Sequence, residues 1–170
     1  MSSTSLIALG VLLLILIPIV RSDLRQRRIP NALNALLAVA GLVVQAVTAP
    51  SLRVLLTGLI APIAVTALFL LLILVMKMLR RRGTLGLGDV KFLAAASLWV
   101  GFVGSTVLFV VASLLALLFV LARTPWRPLD LRAAIPFAPF LSAGLLLVYL
   151  FTGPLYATHA APAGLVEAAR

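Results

Sequence analysis

Long uncharged apolar runs restrict the folds open to this chain more than any other feature. The longest run, residues 92–122, has no charged side chain over 31 positions. A helix needs about 20 apolar residues to cross a bilayer. Hydrophobic residues make up 64% of the sequence and charged residues only 11%, whereas a soluble domain has about 25% charged residues. The sequence therefore predicts an all-α, polytopic membrane protein.

The ends of the apolar runs predict about six transmembrane helices. The run 92–122 is long for one crossing, and Gly101 and Gly104 offer a break within it. The predicted helices cover residues 5–20, 32–48, 54–76, about 90–102, the rest of the run to 122, and a last segment that follows residues 135–140 and ends near 155. We expect residues 1–155 to form one transmembrane domain and residues 156–170 a short extracytoplasmic tail. Asn31 is predicted to be the N-cap of the second helix.

The basic residues predict the orientation of these helices. With six helices, all 14 Lys and Arg residues except Arg53 and Arg170 fall on one side, as the positive-inside rule requires of the cytoplasmic side. Both termini are then extracytoplasmic. The net charge of +10 thus reflects membrane topology, and we do not expect a nucleic-acid partner. The first run has no positive charge before it and several arginines after it, so we expect a retained helix, not a signal peptide.

Only four residues are acidic, and two of them can meet. Asp23 follows the first predicted helix and Asp89 begins the fourth, both on the cytoplasmic side. Asp130 lies on the same side but within a basic loop, and Glu167 lies in the tail on the opposite side. If these two helices pack together, the carboxyls share a site and, in a low dielectric, share one proton. Such a pair can activate water against a peptide bond, as in aspartic proteases. Asp23 and Asp89 are therefore the candidate catalytic residues.

Other interpretations of these acids remain open at this point. Asp23 could be a solvated ion-pair partner of the neighbouring arginines, and Asp89 a helix N-terminal acid favoured by the dipole. The pair could also relay protons in a small transporter. A catalytic metal needs three or more protein ligands, and we expect none here: Asp130 reads as a loop charge, and His159 lies on the opposite side.

Three stretches resemble the motifs of type IV prepilin peptidases, bacterial members of the GxGD membrane aspartyl proteases. Residues 86–91, GLGDVK, resemble the GxGDxK motif, and Asp23 followed by residues 29–31, IPN, resembles the first motif of the family. Residues 136–141, PFAPFL, resemble a PFGPFL-like entry to the last helix, with Ala138 where glycine is commoner. The supporting residues that the resemblance points to are Ile29, Pro30, Asn31, Gly86, Gly88, Lys91, Pro136 and Phe137.

The resemblance implies a specific activity. Family members cleave the leader of prepilin-like proteins at the cytoplasmic face of the bacterial inner membrane, without metal or organic cofactor, and Asp23 and Asp89 would be the catalytic pair. The partners would be a prepilin or pseudopilin and the lipid bilayer. Larger members also methylate the new N-terminus, often with CxxC pairs. Because this sequence begins at the peptidase core and has no cysteine, it resembles the short peptidase-only forms of tight-adherence pili.

Alternatives to this function remain. A GxGD protease could cut other membrane segments, a small proton-linked transporter could use the same acids, and an inactive assembly scaffold could retain them. Lys91 could anchor its loop, act on one aspartate, or reach to the membrane interface. Nothing in the sequence predicts the oligomeric state.

Overall fold

The computed structural model describes residues 3–49, 51–79, 86–123 and 136–152, and within these ranges all regular structure is α-helical. The helices are α1 (Ser3–Gln26), α2 (Asn31–Thr48), α3 (Leu52–Gly58), α4 (Ile60–Met78), α5 (Leu87–Arg123) and α6 (Ala138–Thr152). Four segments are long and apolar enough to cross a membrane within the described ranges: α1, α2, the combined segment of α3 and α4, and α5. Helix α6 is a shorter apolar helix. The prediction of an all-α, polytopic membrane protein is confirmed.

Helix α1 is longer than predicted, and this changes the position of Asp23. The prediction ended the helix at Val20 and placed Asp23 in a polar loop, which is wrong, because α1 continues to Gln26. The apolar run marks the membrane-spanning part, but Arg21 to Gln26 contain no glycine or proline to end the helix. The helix ends where Arg27 takes a positive φ of 52°, with its N–H still bonded to the carbonyl of Asp23 at 2.8 Å.

Helix α2 begins one residue earlier than predicted, and its cap differs. Pro30 is the N-cap, and Asn31 is the first helical residue without a side-chain capping bond. The Pro30 carbonyl accepts the N–H groups of Leu33 and Asn34 at 3.1 and 3.3 Å. The predicted N-cap at Asn31 is therefore wrong, since its side chain is bound elsewhere, by Lys91.

The predicted third helix is interrupted at Leu59, which keeps right-handed angles (φ −72°, ψ −14°), so α3 and α4 follow each other as one candidate span. Pro62 has no N–H to donate to the carbonyl of Gly58, and its ring crowds that carbonyl. The N–H of Leu59 is shared between the carbonyls of Leu55 and Leu56, at 3.3 and 3.2 Å. The predicted helix 54–76 includes both Gly58 and Pro62, and the interruption at Leu59 lies between them.

Helix α5 is broken at Gly101, where the chain reverses direction. Gly101 has φ 73° and ψ −177°, a region that is essentially restricted to glycine. Before the break, Trp99 packs edge-on against Tyr149 near the end of α6, with ring centroids 6.0 Å apart. Well after it, Phe119 packs against Phe140 near the start of α6, at 5.6 Å. The first arm of α5 thus runs alongside α6, and the second arm runs back against it.

The two arms, residues 87–100 and 102–123, confirm the predicted division of this run into two helices. The close approach of the second arm to α6 depends on Gly144, where a Cβ would lie 2.9 Å from the carbonyl oxygen of Leu108. The first arm is fixed to α2 by Trp99, whose Nε1 donates to the buried carbonyl of Leu37 at 2.9 Å. Together these contacts place the start of α5 beside the starts of α2 and α6.

Several predictions fall outside the described residues. These are the basic cluster Arg80 to Arg82, the loop that holds Asp130, the end of the last helix beyond Thr152, and the tail of residues 156–170 with His159 and Glu167.

We expect Gly101→Ala to lower the free energy of unfolding by about 1–3 kcal/mol, because alanine is strained at this φ and ψ. The matched control is Gly10→Ala, since Gly10 is helical and a Cβ there meets no atom within 4 Å. Thermal unfolding of both variants in detergent measures the difference. Equal stability of the two variants would contradict the break at Gly101.

Candidate active site

A cavity of about 340 Å³ lies where the end of α1, the starts of α2 and α5, and the residues before α6 meet. Nine of the ten site residues predicted from the sequence line it, namely Asp23, Ile29, Asn31, Gly86, Gly88, Asp89, Lys91, Pro136 and Phe137. The exception is Pro30, which caps α2 beside the cavity. The three sequence motifs, spread over more than 100 residues, thus form a single site.

Asp23 is held in this cavity by the start of α6. It is only 7% exposed, and its Oδ2 accepts the backbone N–H of Ala138 at 2.9 Å. Ala138 is the first residue of α6, and the N-terminal end of a helix stabilises a nearby negative charge. Because Asp23 is buried and hydrogen-bonded on a helix, it is not the solvated ion-pair partner that the sequence left open as an alternative.

Asp89 lies in the first turn of α5 and is half-buried. The backbone of Gly86 bonds to its carboxyl group, and its own N–H donates to the carbonyl of Gly86 at 3.0 Å. A Cβ at position 86 would lie 3.1 Å from Oδ2 of Asp89. Glycine at position 86 therefore leaves room for the Asp89 carboxyl group, and a larger residue there would contact the carboxyl too closely.

The two carboxyl groups lie within electrostatic reach of each other. Each is partly withdrawn from water, and the apolar side chains of Ile29 and Phe137 share the cavity wall with them. In such surroundings two neighbouring carboxylates do not both ionise readily. The arrangement can therefore supply one acid and one base at a single site.

Lys91 connects the first turn of α5 to the first turn of α2. Its Nζ donates to Oδ1 of Asn31 at 2.9 Å, across the cavity mouth. Of the roles that the sequence left open for Lys91, this contact supports the anchoring one. The bond holds the start of α5, and with it Asp89, at a fixed distance from α2.

Phe137 and Pro136 form the wall opposite α2. The carbonyl of Phe137 accepts the N–H groups of Phe140 and Leu141, both at 3.1 Å, and so begins α6. Its ring packs against Phe109 at 6.3 Å between centroids, which ties this wall to the second arm of α5. The PFAPFL stretch thus positions the Ala138 N–H that binds Asp23.

Sequence reasoning missed three contributors to this site. Arg27 and Arg28 line the cavity, although the sequence used them only to orient the membrane topology. The N–H of Ala138 could not be found from side-chain chemistry, because a backbone donor leaves no mark in the sequence. Ala138 drew notice only as a departure from the commoner glycine, and either residue supplies the same N–H.

Metal ligands do not gather at this site. Among the residues that the structure describes, no group of three His, Cys, Asp or Glu side chains is placed to hold a metal ion.

The sequence matches the model of a known protein family. The sequence model of the type IV leader peptidase family matches residues 10–121, which is well over half of the chain. The match spans Asp23, the IPN stretch and the GLGDVK stretch, and ends before Pro136. No curated protein and no solved structure shows a comparable similarity.

The Lys91–Asn31 bond predicts energetic coupling between these residues. In a double-mutant cycle of Lys91→Met and Asn31→Ala, we expect a coupling free energy of about 0.5–1 kcal/mol, because the bond is charge-assisted but exposed. The free energy of unfolding in mixed micelles measures it. Strictly additive effects of the two substitutions would contradict the contact.

Proposed function

Because the chain belongs to the type IV leader peptidase family, we propose that it is a membrane aspartic endopeptidase that cleaves the leader from prepilin-like proteins. Asp23 and Asp89 are the proposed catalytic pair. The observation that carries the proposal is that both carboxyls, from motifs far apart in the sequence, line one cavity. The family establishes a leader peptidase-like protease, and the cavity supports the aspartic chemistry.

The proposed reaction is hydrolysis by one acid and one base. The ionised carboxylate takes a proton from a water molecule, whose oxygen bonds to the carbonyl carbon of the scissile peptide. The protonated carboxyl donates to the carbonyl oxygen, where negative charge develops. When the C–N bond breaks, the leaving nitrogen takes a proton from the pair, and an acid and an amine result.

We assign the ionised form before attack to Asp23. The Ala138 N–H and the start of α6 both point at its carboxylate, and both stabilise negative charge. Asp89 then holds the shared proton and polarises the substrate carbonyl. Gly86 and Gly88, which carry no side chain into the cavity, leave space for the substrate backbone beside Asp89.

We propose that this site faces the cytoplasm across the bacterial inner membrane, with both termini on the opposite side. The exposed basic residues Arg25, Arg27, Arg28, Lys77 and Lys91 all belong to helix ends or loops that the topology places at the end of the bundle where the dyad lies, and positive charge marks the cytoplasmic side. We propose no methyltransferase activity, since the sequence has no cysteine.

The dyad predicts the effect of removing either carboxylate. In a host without its own prepilin peptidase, we expect Asp23→Asn and Asp89→Asn each to lower leader cleavage at least about 100-fold, because acid–base catalysis contributes that much or more. Gel shift and N-terminal mass spectrometry follow the leader. The expected new N-terminus is unmethylated.

The matched control for these variants is Asp130→Asn, which removes another acid placed on the same side by the sequence. Its activity is expected to stay near that of the wild type. Cleavage that survives either dyad substitution would refute the assignment, and failure of a folded wild type to cut any prepilin would refute the proposed substrate class.

The proposed orientation predicts which residues meet reagents on each side. The sequence has no cysteine, so single substitutions can be labelled without background. We expect Gln26→Cys, at the exposed end of α1, to react only from the cytoplasmic side, and Arg53→Cys, at the exposed start of α3, only from the periplasmic side. Labelling of intact cells and of inverted vesicles with a charged maleimide tests this. The opposite pattern would reverse the topology.

A further inference from the structure

Asn34 is a buried amide without a partner. It lies one turn after Asn31 on α2 and is 6% exposed. Neither its Oδ1 nor its Nδ2 has a hydrogen-bond partner in the part of the chain that the structure describes. Burying an unpaired amide destabilises a fold, so a ligand that pairs with it would be strongly favoured.

Asn34 forms part of the wall of a groove between α2, α4 and the first arm of α5, with a volume of about 380 Å³. Asn31 and Lys91 line both this groove and the cavity of Asp23 and Asp89. The groove therefore continues from the dyad along α2. Ala35 and Ala94 also line it, and such small side chains let a second backbone approach closely.

The chemistry of Asn34 restricts what the groove can hold. Its amide offers an acceptor oxygen and an NH₂ group with two N–H donors, so the matching ligand presents both an N–H and a C=O. A lipid chain presents neither, and a lipid ester presents only acceptors. A peptide segment presents both, but inside a helix these groups are already bonded to each other. The exception is the start of a helix, where the N–H groups of the first turn are free and the carbonyls of the residues just before it are not bonded within the helix.

We propose that this groove binds the start of the substrate's apolar helix, with Oδ1 of Asn34 accepting a free N–H of the first turn and Nδ2 donating to a carbonyl of the residues just before the helix. The peptide bond just before that helix then reaches the cavity of Asp23 and Asp89. Asn34 is thereby a positioning residue that acts on substrate binding and not on the chemical step. The inference rests on the proposed function, since it names how the same substrate is held.

A second groove offers a comparison. It lies between α1 and α6 and has a volume of about 540 Å³. Apolar residues such as Leu16 and Leu146 line it, together with Ala143, Arg21, Arg25 and Ser142, whose buried hydroxyl also has no partner among the described residues. None of its lining residues also lines the cavity of the dyad. It lacks the shared Asn31 and Lys91 wall, so we place the substrate helix in the groove of Asn34.

The first test substitutes Asn34→Leu and compares it with Gln45→Leu. Gln45 lies on the same helix, is 4% exposed, and also has no partner for either amide atom within the described ranges, but it does not line the groove. Both variants remove an unpaired buried amide, so neither is expected to unfold more easily. The substrate is a purified prepilin, used with its apolar helix and in a shortened form without it.

With the long substrate, we expect Asn34→Leu to raise KM about tenfold, since two hydrogen bonds are lost, and to change kcat by less than about threefold. Gln45→Leu is expected to change neither. With the short substrate, Asn34→Leu should have no effect on KM. Equal behaviour of the two variants would overturn the proposal. An equal effect of Asn34→Leu on the long and the short substrate would also overturn it, because a bound lipid or a purely structural role of Asn34 would affect both substrates alike.

The second test does not depend on cleavage. In full-length Asp89→Asn protein, p-benzoylphenylalanine replaces Ala35 in the proposed groove or Ala143 in the comparison groove, and the long prepilin is added. A crosslink from position 35 and none from position 143 is expected. The absence of a crosslink from position 35 would overturn the inference, whether or not position 143 gives a crosslink. If the wild type cleaves neither substrate, the proposed function fails, and this crosslink still decides whether the groove binds the apolar segment.

Discussion

The hydrogen bond from the Ala138 N–H to Asp23 is the contact on which the site depends. It joins the end of α1 to the start of α6, two elements 115 residues apart in the chain. Without it, Asp23 would sit at the end of a helix surrounded by arginines, free to turn toward water. With it, the carboxylate is buried, lines the same cavity as Asp89 and receives the positive end of α6. The PFAPFL stretch thus matters less for its side chains than for the N–H group it presents.

The reversal at Gly101 is what makes that bond possible. A single straight α5 would carry the chain to the far end of the bundle, and α6 would then begin away from Asp23. Because the chain turns back after a short first arm, both the start of α5 and the start of α6 lie at the end where α1 finishes. The bond from Trp99 to the Leu37 carbonyl sets α2 in register with this arm, which brings Asn31 to Lys91.

Much of this arrangement could be predicted from the sequence, because apolar runs, charges and motif spacing carry it. The length of the uncharged run and the distribution of basic residues predict a break near Gly101 and Gly104, and packing decides for Gly101. The ends of the helices are harder to predict, because hydrophobicity marks the part of a helix that lies in the membrane and not the residue at which the helix ends. Asp23 was therefore assigned to a loop, although it lies on α1. The interruption at Leu59 lies inside a predicted helix, and the unpaired state of Asn34 depends on neighbours that only packing reveals.

The position of the dyad reconciles two opposed requirements of the proposed reaction. Hydrolysis needs water at the scissile bond, whereas the segment that follows this bond is apolar and stays in lipid. Asp23 lies in the last turns of α1, after its apolar part, and Asp89 lies in the first turn of α5, so the proposed topology puts both acids near the membrane surface. The exposed side chains of Arg27, Arg28 and Lys91 line the cavity on the wet side, and the groove of Asn34 leads away from it between apolar helices. A dyad one turn deeper would bind the apolar segment but lack water, and one turn farther out would meet water but lose the apolar segment.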